Sequence, residues 1–277
     1  MSERRLHQLA LERTHSALSV GALVPLSTCP VEQDSWKPFQ VRRLLSQTPK
    51  HLRAVAPKPN PFLPWDPHLE VERLGKSHLL LLNKYPVQHG HVLLITQQWK
   101  PQSGWLERLD WQALTHVEDD TAGLWFFNSC AAAGASQPHR HLQLLPRGAG
   151  ESSCPLAETF LMQLQRRDQI WPWRYMVSRR RATRTSQAAA ELEALYRDHC
   201  SALGLGNPAH HPVPTGAYNL LFDENWLVTV LRCREHWAGF SVNALGFAGY
   251  LLITDKSDQA WLETCGPIEL LGKVAVL

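Results

Sequence analysis

The chain has 277 residues, 44% of them hydrophobic, which is enough to bury one large core or two fused smaller ones. Its formal net charge of +3 is weak and spread along the sequence, which is not typical of a nucleic-acid-binding protein. No apolar run reaches the roughly 18 residues of a membrane span, no apolar signal segment follows Met1, and the six cysteines show no close pairing, so we expect a cytoplasmic protein without a membrane partner.

The first half of the chain is predicted to combine two helices with short strands. Apolar residues between positions 4 and 18 recur at helical spacing, and a second helix is expected over Leu106–Thr115. The proline-dense segment Pro57–Pro67 is predicted to be a loop, because proline fits neither a helix interior nor a central strand. Short apolar runs bounded by turn residues predict strands at Phe39–Leu45, Leu69–Leu74, His78–Leu82, His91–Thr96, Thr121–Asn128 and His139–Leu145.

The second half resembles the first without an exact internal repeat. Residues 156–166 and 187–203 have helical composition, and the polar stretch between them is expected to be mobile. Three apolar runs then predict strands at Tyr218–Phe222, Trp226–Cys233 and Gly249–Thr254. Because hairpin-length connections outnumber helical crossovers, the expected fold class is α+β with mostly antiparallel sheet.

Two further features of the sequence are its tryptophans and a short run of arginines. Trp125, Trp171 and Trp173 are expected to pack in the core. The one dense basic run is Arg179–Arg181, with Arg184 close behind. No aromatic platform motif accompanies this run, so we expect a solvated face or loop and no nucleic-acid partner.

The most informative segment covers residues 128–147, in which His139, His141 and Gln143 occupy alternate positions. Side chains on a strand point to opposite faces in turn, so this spacing aims two imidazoles and one amide at one surface. Small residues fill the preceding loop, 131–138, whose backbone can approach a ligand closely. A strand that carries a nucleophile and adjoins an anion-binding loop is suited to chemistry at phosphorus.

Two histidines on one strand face allow three interpretations. They can be a structural pair, which is the commoner case for an isolated motif. They can bind a metal, but zinc needs three or four ligands and no further cluster has a usual spacing. They can supply a nucleophile that attacks phosphorus. The loop Gly134–Gln137 favours the nucleophile, since it offers backbone N–H groups and two polar side chains to charged oxygens.

The segment from Gly134 to Gln143 closely resembles the active-site segment of the diadenosine 5′,5‴-tetraphosphate (Ap4A) phosphorylases, or ATP adenylyltransferases. These enzymes form a transferase branch of the histidine-triad superfamily. The resemblance extends over most of the chain in further blocks: 21–28, 39–42, 60–62, 81–84, 90–96 and 243–249. It implies a histidine-triad-like fold, with two similar halves and flanking helices in one compact unit. We expect one domain over 1–277, with a catalytic N-terminal part of about 1–205 and a C-terminal part of about 206–277.

The resemblance also assigns roles to individual residues. His141 would be the nucleophile that accepts the adenylyl group, and His139 would orient the strand and the neighbouring ring. Ser136 and Gln143 would join them in catalysis by stabilising charged oxygens. The remaining substrate-binding positions implied by the family are Lys58, Asn83, Lys84, Asn128, Gly134, Ala135, Gln137, Asn243, Ala244, Leu245 and Tyr250.

Gln143 stands where hydrolytic histidine-triad proteins have a third histidine. An amide can hydrogen-bond a phosphate oxygen, but it cannot exchange a proton near neutral pH. An enzyme without that acid/base group is suited to passing the nucleotide to a phosphate anion, which is already a competent nucleophile, rather than to water.

The function expected from the resemblance is reversible phosphorolysis of Ap4A to ATP and ADP through an adenylyl-histidine intermediate. The alternatives are a related nucleotidyltransferase, such as an adenylylsulfate phosphorylase or a hexose-1-phosphate uridylyltransferase, and a dinucleotide sensor without turnover. The expected partners are small nucleotides and phosphate, and the protein is expected to be a monomer. No tightly bound cofactor or protein metal site is expected; Mg²⁺ would arrive, if at all, with the nucleotide.

Overall fold

The computed structural model describes residues 4–46, 60–148, 150–166, 168–181 and 185–277. Within these ranges the strands, numbered in chain order, are β1 Thr28–Val31, β2 Gln40–Leu44, β3 Glu70–Leu74, β4 His78–Leu82, β5 Val92–Thr96, β6 Gly123–Asn128, β7 His141–Pro146, β8 Tyr175–Arg179, β9 Ala217–Phe222, β10 Trp226–Arg232, β11 His236–Trp237, β12 Phe240–Ser241 and β13 Tyr250–Ile253. The helices are α1 Arg5–Ser19, α2 Arg108–Glu118, α3 Ala157–Arg166, α4 Thr185–Ala202, α5 Ala244–Phe247 and α6 Gln259–Val274, the last interrupted at Gly266.

Eight strands form one sheet in the order β3-β4-β5-β7-β6-β9-β10-β8, and every pair in it is antiparallel. The two halves of the chain meet inside this sheet, where β6 pairs with β9. A smaller sheet has the order β1-β2-β13, and its β2–β13 pair is parallel. The α+β class and the mostly antiparallel pairing predicted from the sequence are therefore confirmed.

The large sheet separates two hydrophobic cores. Along β6, Trp125 and Phe127 lie in the core that also contains residues of α1, α2 and α4. Leu124 and Phe126 lie in the other core, which contains residues of α3, α5, α6 and the small sheet. This division follows from the pleat, because alternate residues of a strand point to opposite faces. On β7, Leu145 belongs to the second core, so His141 and Gln143 face that side as well.

Most predicted elements are found within a few residues of their expected bounds. Trp125, Trp171 and Trp173 are buried as expected. The stretch predicted to be polar and mobile contains β8, which pairs with β10 at the edge of the sheet. His139 was predicted to begin a strand, but β7 begins at His141 and His139 forms an isolated bridge with Pro101.

The basic run is not uniformly solvated. Arg180 is only 6% exposed, and its guanidinium donates to both carboxylate oxygens of Glu118 at 2.6 and 2.7 Å. Its expected place on a solvated face is therefore wrong, because this arginine is buried and paired with the half-buried carboxylate of Glu118. Arg184 lies outside the described residues. None of the described helices has the length and apolar character needed to cross a membrane.

Candidate active site

Three central strands end or begin at the same end of the large sheet, and polar residues occupy those positions. Thr96 closes β5, Asn128 closes β6, and His141 opens β7. The register places Ile95 opposite His141, and Asn128 opposite Asn219 of β9. Antiparallel pairing therefore gathers residues that are far apart in the sequence around His141.

The imidazole of His141 is held in one tautomer by the backbone. Its Nδ1 lies 2.8 Å from the carbonyl oxygen of His139, which can only accept a hydrogen bond, so Nδ1 carries the proton. Nε2 is then the unprotonated nitrogen, and no hydrogen bond among the described residues occupies it. A neutral imidazole with a free Nε2 lone pair is a nucleophile.

Burial keeps His141 neutral. The ring is 3% exposed, and desolvation lowers the pKa of His141 from its ordinary 6.5 to about 4, with the nearby His139 contributing in the same direction. The hydrogen bond to the His139 carbonyl opposes this shift without reversing it. At neutral pH the ring therefore needs no deprotonation before it can attack an electrophile.

His139 uses both ring nitrogens for hydrogen bonds within the protein. Nε2 lies 2.8 Å from the Thr96 carbonyl oxygen and so donates to it, while Nδ1 lies 3.0 Å from Nδ2 of Asn60 and accepts from it. The ring centroid of Phe62 lies 5.5 Å from both histidine rings, which places them around one aromatic side chain. This geometry suits His139 for orienting its neighbour rather than for attack.

Arg140 anchors the same segment from the opposite face of the sheet. Its NH1 contacts Asp110 at 3.0 Å and Glu107 at 3.1 Å, both from the start of α2. Asp110 is also bonded to Nε2 of His78 at 2.9 Å. A buried arginine with two carboxylate partners fixes the backbone on either side of it, and therefore the positions of His139 and His141.

Gln143 is oriented by His91, which was not among the predicted site residues. Nε2 of His91, which lies just before β5, is 3.1 Å from Oε1 of Gln143. Across the antiparallel pair, Leu93 is directly opposite Gln143, so His91 is its diagonal neighbour on the same face. The strand register was the signal that could have identified this contact.

The small-residue loop packs directly against the C-terminal block. Gly134 has a φ of 85°, and a Cβ added there would lie 2.6 Å from Cβ of Asn243. Only glycine allows that approach. Asn243 caps α5 by accepting from the N–H of Leu245 at 2.9 Å, and Oδ1 of Asn128 accepts from the N–H of Ala244 at 2.9 Å. The structure thus joins the two predicted nucleotide-binding blocks.

Two buried polar residues complete this junction and were not predicted. Asn219 donates from Nδ2 to Asn128 and to the Ala133 carbonyl oxygen, both at 2.8 Å. Arg232 donates to Oδ1 of Asn219 and, at 2.8 Å, to the carbonyl oxygen of Val242. Burial lowers the pKa of Arg232 to about 10, so it remains charged at neutral pH. Both residues lie within apolar strand sequences, where nothing local marks them.

The rest of the loop is more open. Ser136 is exposed, Ala135 is half-buried, and the N–H of Ala135 donates to the Cys130 carbonyl oxygen at 3.0 Å. Gln137 is half-buried, and its Oε1 has no hydrogen-bond partner among the described residues. The Ser136 side chain is therefore open to a ligand, whereas the N–H groups of Gly134 and Ala135 are already bonded within the loop.

Of the predicted binding residues Lys58, Asn83 and Lys84, only Asn83 has described contacts near Gln143. Lys58 lies outside the described residues, and Lys84 is exposed. Nδ2 of Asn83 lies 3.4 Å from both ring nitrogens of His91, so Asn83 belongs to the surroundings of Gln143.

Tyr250 lies apart from the nucleophile. Its hydroxyl is hydrogen-bonded to Arg147, whose guanidinium also lies 6.0 Å from the ring centroid. Arg147 follows the last residue of β7, whereas His141 is the first. At about 3.3 Å per residue, these two residues are separated by about 20 Å along the strand. The contacts of Tyr250 therefore do not bring it next to His141.

Two family models match consecutive parts of the chain. The Ap4A phosphorylase N-terminal domain matches residues 1–162, and the ATP adenylyltransferase C-terminal domain matches residues 169–277. Curated relatives from Saccharomyces cerevisiae match shorter stretches. Protein APA1 is 39% identical over 78 residues, which is 26% of this chain and 24% of the relative. Diadenosine 5′,5‴-P1,P4-tetraphosphate phosphorylase 2 is 35% identical over 80 residues, which is 25% of each chain.

Solved structures extend the likeness to the whole fold. The crystal structure of yeast Ap4A phosphorylase Apa2 has a TM-score of 0.73 and 21% identity, covering 99% of this chain and 95% of that one. Its complex with AMP has a TM-score of 0.76 and 22% identity, covering 99% and 98%. The predicted histidine-triad-like fold is thereby confirmed. The matched curated stretches span only about a quarter of those relatives, but the N-terminal family model covers more than half of this chain. The chain belongs to the Ap4A phosphorylase family.

Proposed function

We propose that this protein is an ATP adenylyltransferase that catalyses the reversible phosphorolysis of Ap4A to ATP and ADP. The observation that carries the proposal is the state of His141. Its Nδ1 proton is committed to the His139 carbonyl oxygen, and its Nε2 lone pair has no hydrogen-bond partner among the described residues.

In the first half-reaction, Nε2 of His141 attacks the α-phosphorus of Ap4A. A P–N bond forms, the bond from that phosphorus to the bridging oxygen breaks, and ATP leaves. The ring then carries a positive charge, which the hydrogen bond from Nδ1–H to the His139 carbonyl stabilises. In the second half-reaction, a phosphate oxygen attacks the same phosphorus, the P–N bond breaks, and ADP leaves with His141 restored to its neutral form.

Gln143 determines which acceptor is used. Its Oε1 is bonded to His91, so its NH₂ group is the part that can donate to a non-bridging phosphate oxygen. Water needs a base to become a good nucleophile, and an amide supplies none. Phosphate arrives as an anion and needs no such help.

The family membership and the named relatives support the same reaction. One curated relative is named a diadenosine tetraphosphate phosphorylase, and the similar yeast enzyme has been crystallised with Ap4A and with AMP. The proposal includes a monomer in the cytoplasm, in keeping with six free cysteines. It includes no tightly bound cofactor, and Mg²⁺ would accompany the nucleotide phosphates.

The test is to incubate the protein with Ap4A, with and without phosphate, and to resolve the products. The expected result is ATP and ADP, formed only with phosphate. AMP and ATP in its absence would instead indicate a hydrolase, and no turnover under either condition would indicate a sensor.

A labelling experiment tests the nucleophile. Ap4A labelled at the α-phosphorus should label the wild-type protein in the absence of phosphate, and added phosphate should release the label as ADP. His141→Ala should show no labelling. Persistent labelling of this variant would overturn the assignment of His141.

A further inference from the structure

A side-chain amide occupies the point where β6 and β7 separate. The ladder between these strands runs from Gly123 opposite Pro146 to Phe126 opposite Gln143 and does not continue to His141. On its other side His141 remains opposite Ile95 of β5. The nucleophile therefore lies on a strand that has lost one of its two neighbours.

Gln102 takes the place of the missing ladder. Its Oε1 accepts from the backbone N–H of His141 at 2.8 Å, and its Nε2 donates to the carbonyl oxygens of Asn128 at 2.7 Å and of His141 at 3.2 Å. One primary amide thus joins the end of β6 to the beginning of β7. The side chain is 3% exposed, so water does not compete for these bonds.

The segment that carries Gln102 is itself paired with the chain before β7. The N–H of Arg140 donates to the Lys100 carbonyl oxygen at 2.9 Å, and the N–H of Gln102 donates to the Pro138 carbonyl oxygen at 2.8 Å. Pro101 and His139 form the antiparallel bridge between these two bonds. The position of the amide is therefore fixed by two backbone hydrogen bonds, one on either side of this bridge.

We infer that Gln102 is a positioning residue for His141: by bonding both backbone polar groups of His141, it sets where Nε2 stands relative to the α-phosphorus. The inference rests on the proposed function. Separation of β6 and β7 makes room for the loop 129–138 between the strands, and the amide restores the rigidity lost there. Attack at phosphorus needs alignment within a fraction of an ångström, and a displacement of about 1 Å can cost about 100-fold in rate.

The first test replaces Gln102 with methionine, which has a similar length and no amide. The rate constant for labelling by α-phosphorus-labelled Ap4A, measured in a single turnover without phosphate, should fall by about 100-fold. The nucleotide dissociation constant should stay within about twofold, because all three hydrogen bonds of the Gln102 amide go to the protein backbone. Gln97→Met is the matched control, since Nε2 of Gln97 bonds the Gly75 and His78 carbonyl oxygens away from the site. It should label at the wild-type rate.

The second test is Gln102→Glu, and its readout is a pH profile. A carboxylate can accept from the His141 N–H but would face two carbonyl oxygens, whereas a protonated carboxyl keeps the acceptor and supplies one of the two donors that the amide has. Burial raises the pKa of a carboxyl group, so the labelling rate of Gln102→Glu, relative to wild type, should rise by about tenfold as pH falls from 8 to 5. The same ratio for Gln102→Met should stay flat.

The other ionisable groups near this amide do not produce such a profile. Burial lowers the pKa of both His139 and His141, and Arg140 is paired with Asp110 and Glu107. These groups are also common to all variants, so their titration cancels in the ratio.

Several outcomes would overturn the inference. These are a wild-type labelling rate in Gln102→Met, a loss confined to thermal stability, or a Gln102→Glu ratio that does not change with pH. Failure of the proposed function is distinguishable, because the wild-type protein itself would then take up no label.

Discussion

His91 and Gln143 are joined by a hydrogen bond of 3.1 Å between Nε2 and Oε1. The backbone N–H of Val87 points to Nδ1 of His91 at 3.5 Å, which identifies Nδ1 as the acceptor and Nε2 as the protonated nitrogen. His91 is 2% exposed, and burial lowers its pKa to about 4, so this arrangement does not reverse at neutral pH. The imidazole therefore determines which end of the Gln143 amide faces the substrate.

Replacing His91 with leucine should free the Gln143 amide to rotate. We expect kcat for Ap4A phosphorolysis to fall by about 10- to 100-fold, with a smaller change in KM. The reason is that the Gln143 NH₂ group, no longer held toward the substrate, acts mainly on charge that develops during the reaction. Steady-state kinetics with and without the substitution measure this. His89→Leu, two residues earlier at an exposed position, is the control and should behave as wild type. Equal effects of the two changes would contradict the assigned role of His91.

The pH dependence of adenylylation follows from the lowered pKa of His141. Protonation of Nε2 removes the attacking lone pair, so the rate falls only as pH approaches about 4, the value to which burial brings the pKa of His141. Between pH 8 and pH 5 the single-turnover labelling rate should be nearly constant. A histidine with the ordinary pKa would lose about 30-fold over the same interval. A midpoint near pH 6.5 would show that the nucleophile is solvated.

Buried neutral histidines also make the fold sensitive to acid. His199 is fully buried between the hydroxyls of Thr229 at 2.9 Å and Ser178 at 2.8 Å, and burial lowers its pKa to about 4. Its stabilising contribution is complete above its unfolded-state pKa and is progressively lost as pH falls toward the folded value. At pH 5 this single group costs about 2 kcal/mol relative to pH 8.

His199→Gln, which keeps partners for both hydroxyls, should remove that cost. Urea unfolding at pH 8 and at pH 5 gives the loss in free energy of unfolding between the two pH values. In His199→Gln this loss should be about 2 kcal/mol smaller than in the wild type. His210→Gln at an exposed position should leave the wild-type difference unchanged. An unchanged difference in His199→Gln would mean that His199 is charged in the folded state.

Gly134→Ala should separate nucleotide binding from general stability. The added methyl group would lie 2.6 Å from Cβ of Asn243 and force the loop away from α5. Gly75→Ala is matched in its positive φ of 60° but has nothing within 4 Å of the new carbon. Gly75→Ala should lose about 1 kcal/mol of stability from its positive φ alone, and Gly134→Ala should lose more because the clash adds to the same backbone strain. Nucleotide affinity, measured by calorimetry with AMP, should fall by about tenfold in Gly134→Ala and stay unchanged in Gly75→Ala.

Hairpin-spaced apolar runs were sufficient to predict the antiparallel sheet, because such strands bury one or both faces and alternate with turn residues. Strand β8 was missed because it is short and runs directly into the basic residues from Arg179 onward, so it carries little periodic signal. Helix α6 was not predicted, since the Gly266-Pro267 step breaks its helical pattern.

Within the candidate site, local sequence identifies the small-residue loop and His141. It does not identify Asn219, Arg232 and Gln102. Each of these three acts on backbone atoms from distant segments. Their partners are determined by strand order and register, which a single sequence does not specify.

The pairing of β6 with β9 has a consequence for dividing the chain. The two matched family models meet between residues 162 and 169, yet the strands Gly123–Asn128 and Ala217–Phe222 are adjacent in one sheet. A fragment that ended at the first boundary would carry β6 as an exposed, mostly apolar edge open to self-association. Each fragment would also expose the strand edge, β6 or β9, with which the other fragment pairs. When the two fragments are co-expressed as separate chains, they should assemble into an active two-chain enzyme. Either fragment expressed alone should aggregate.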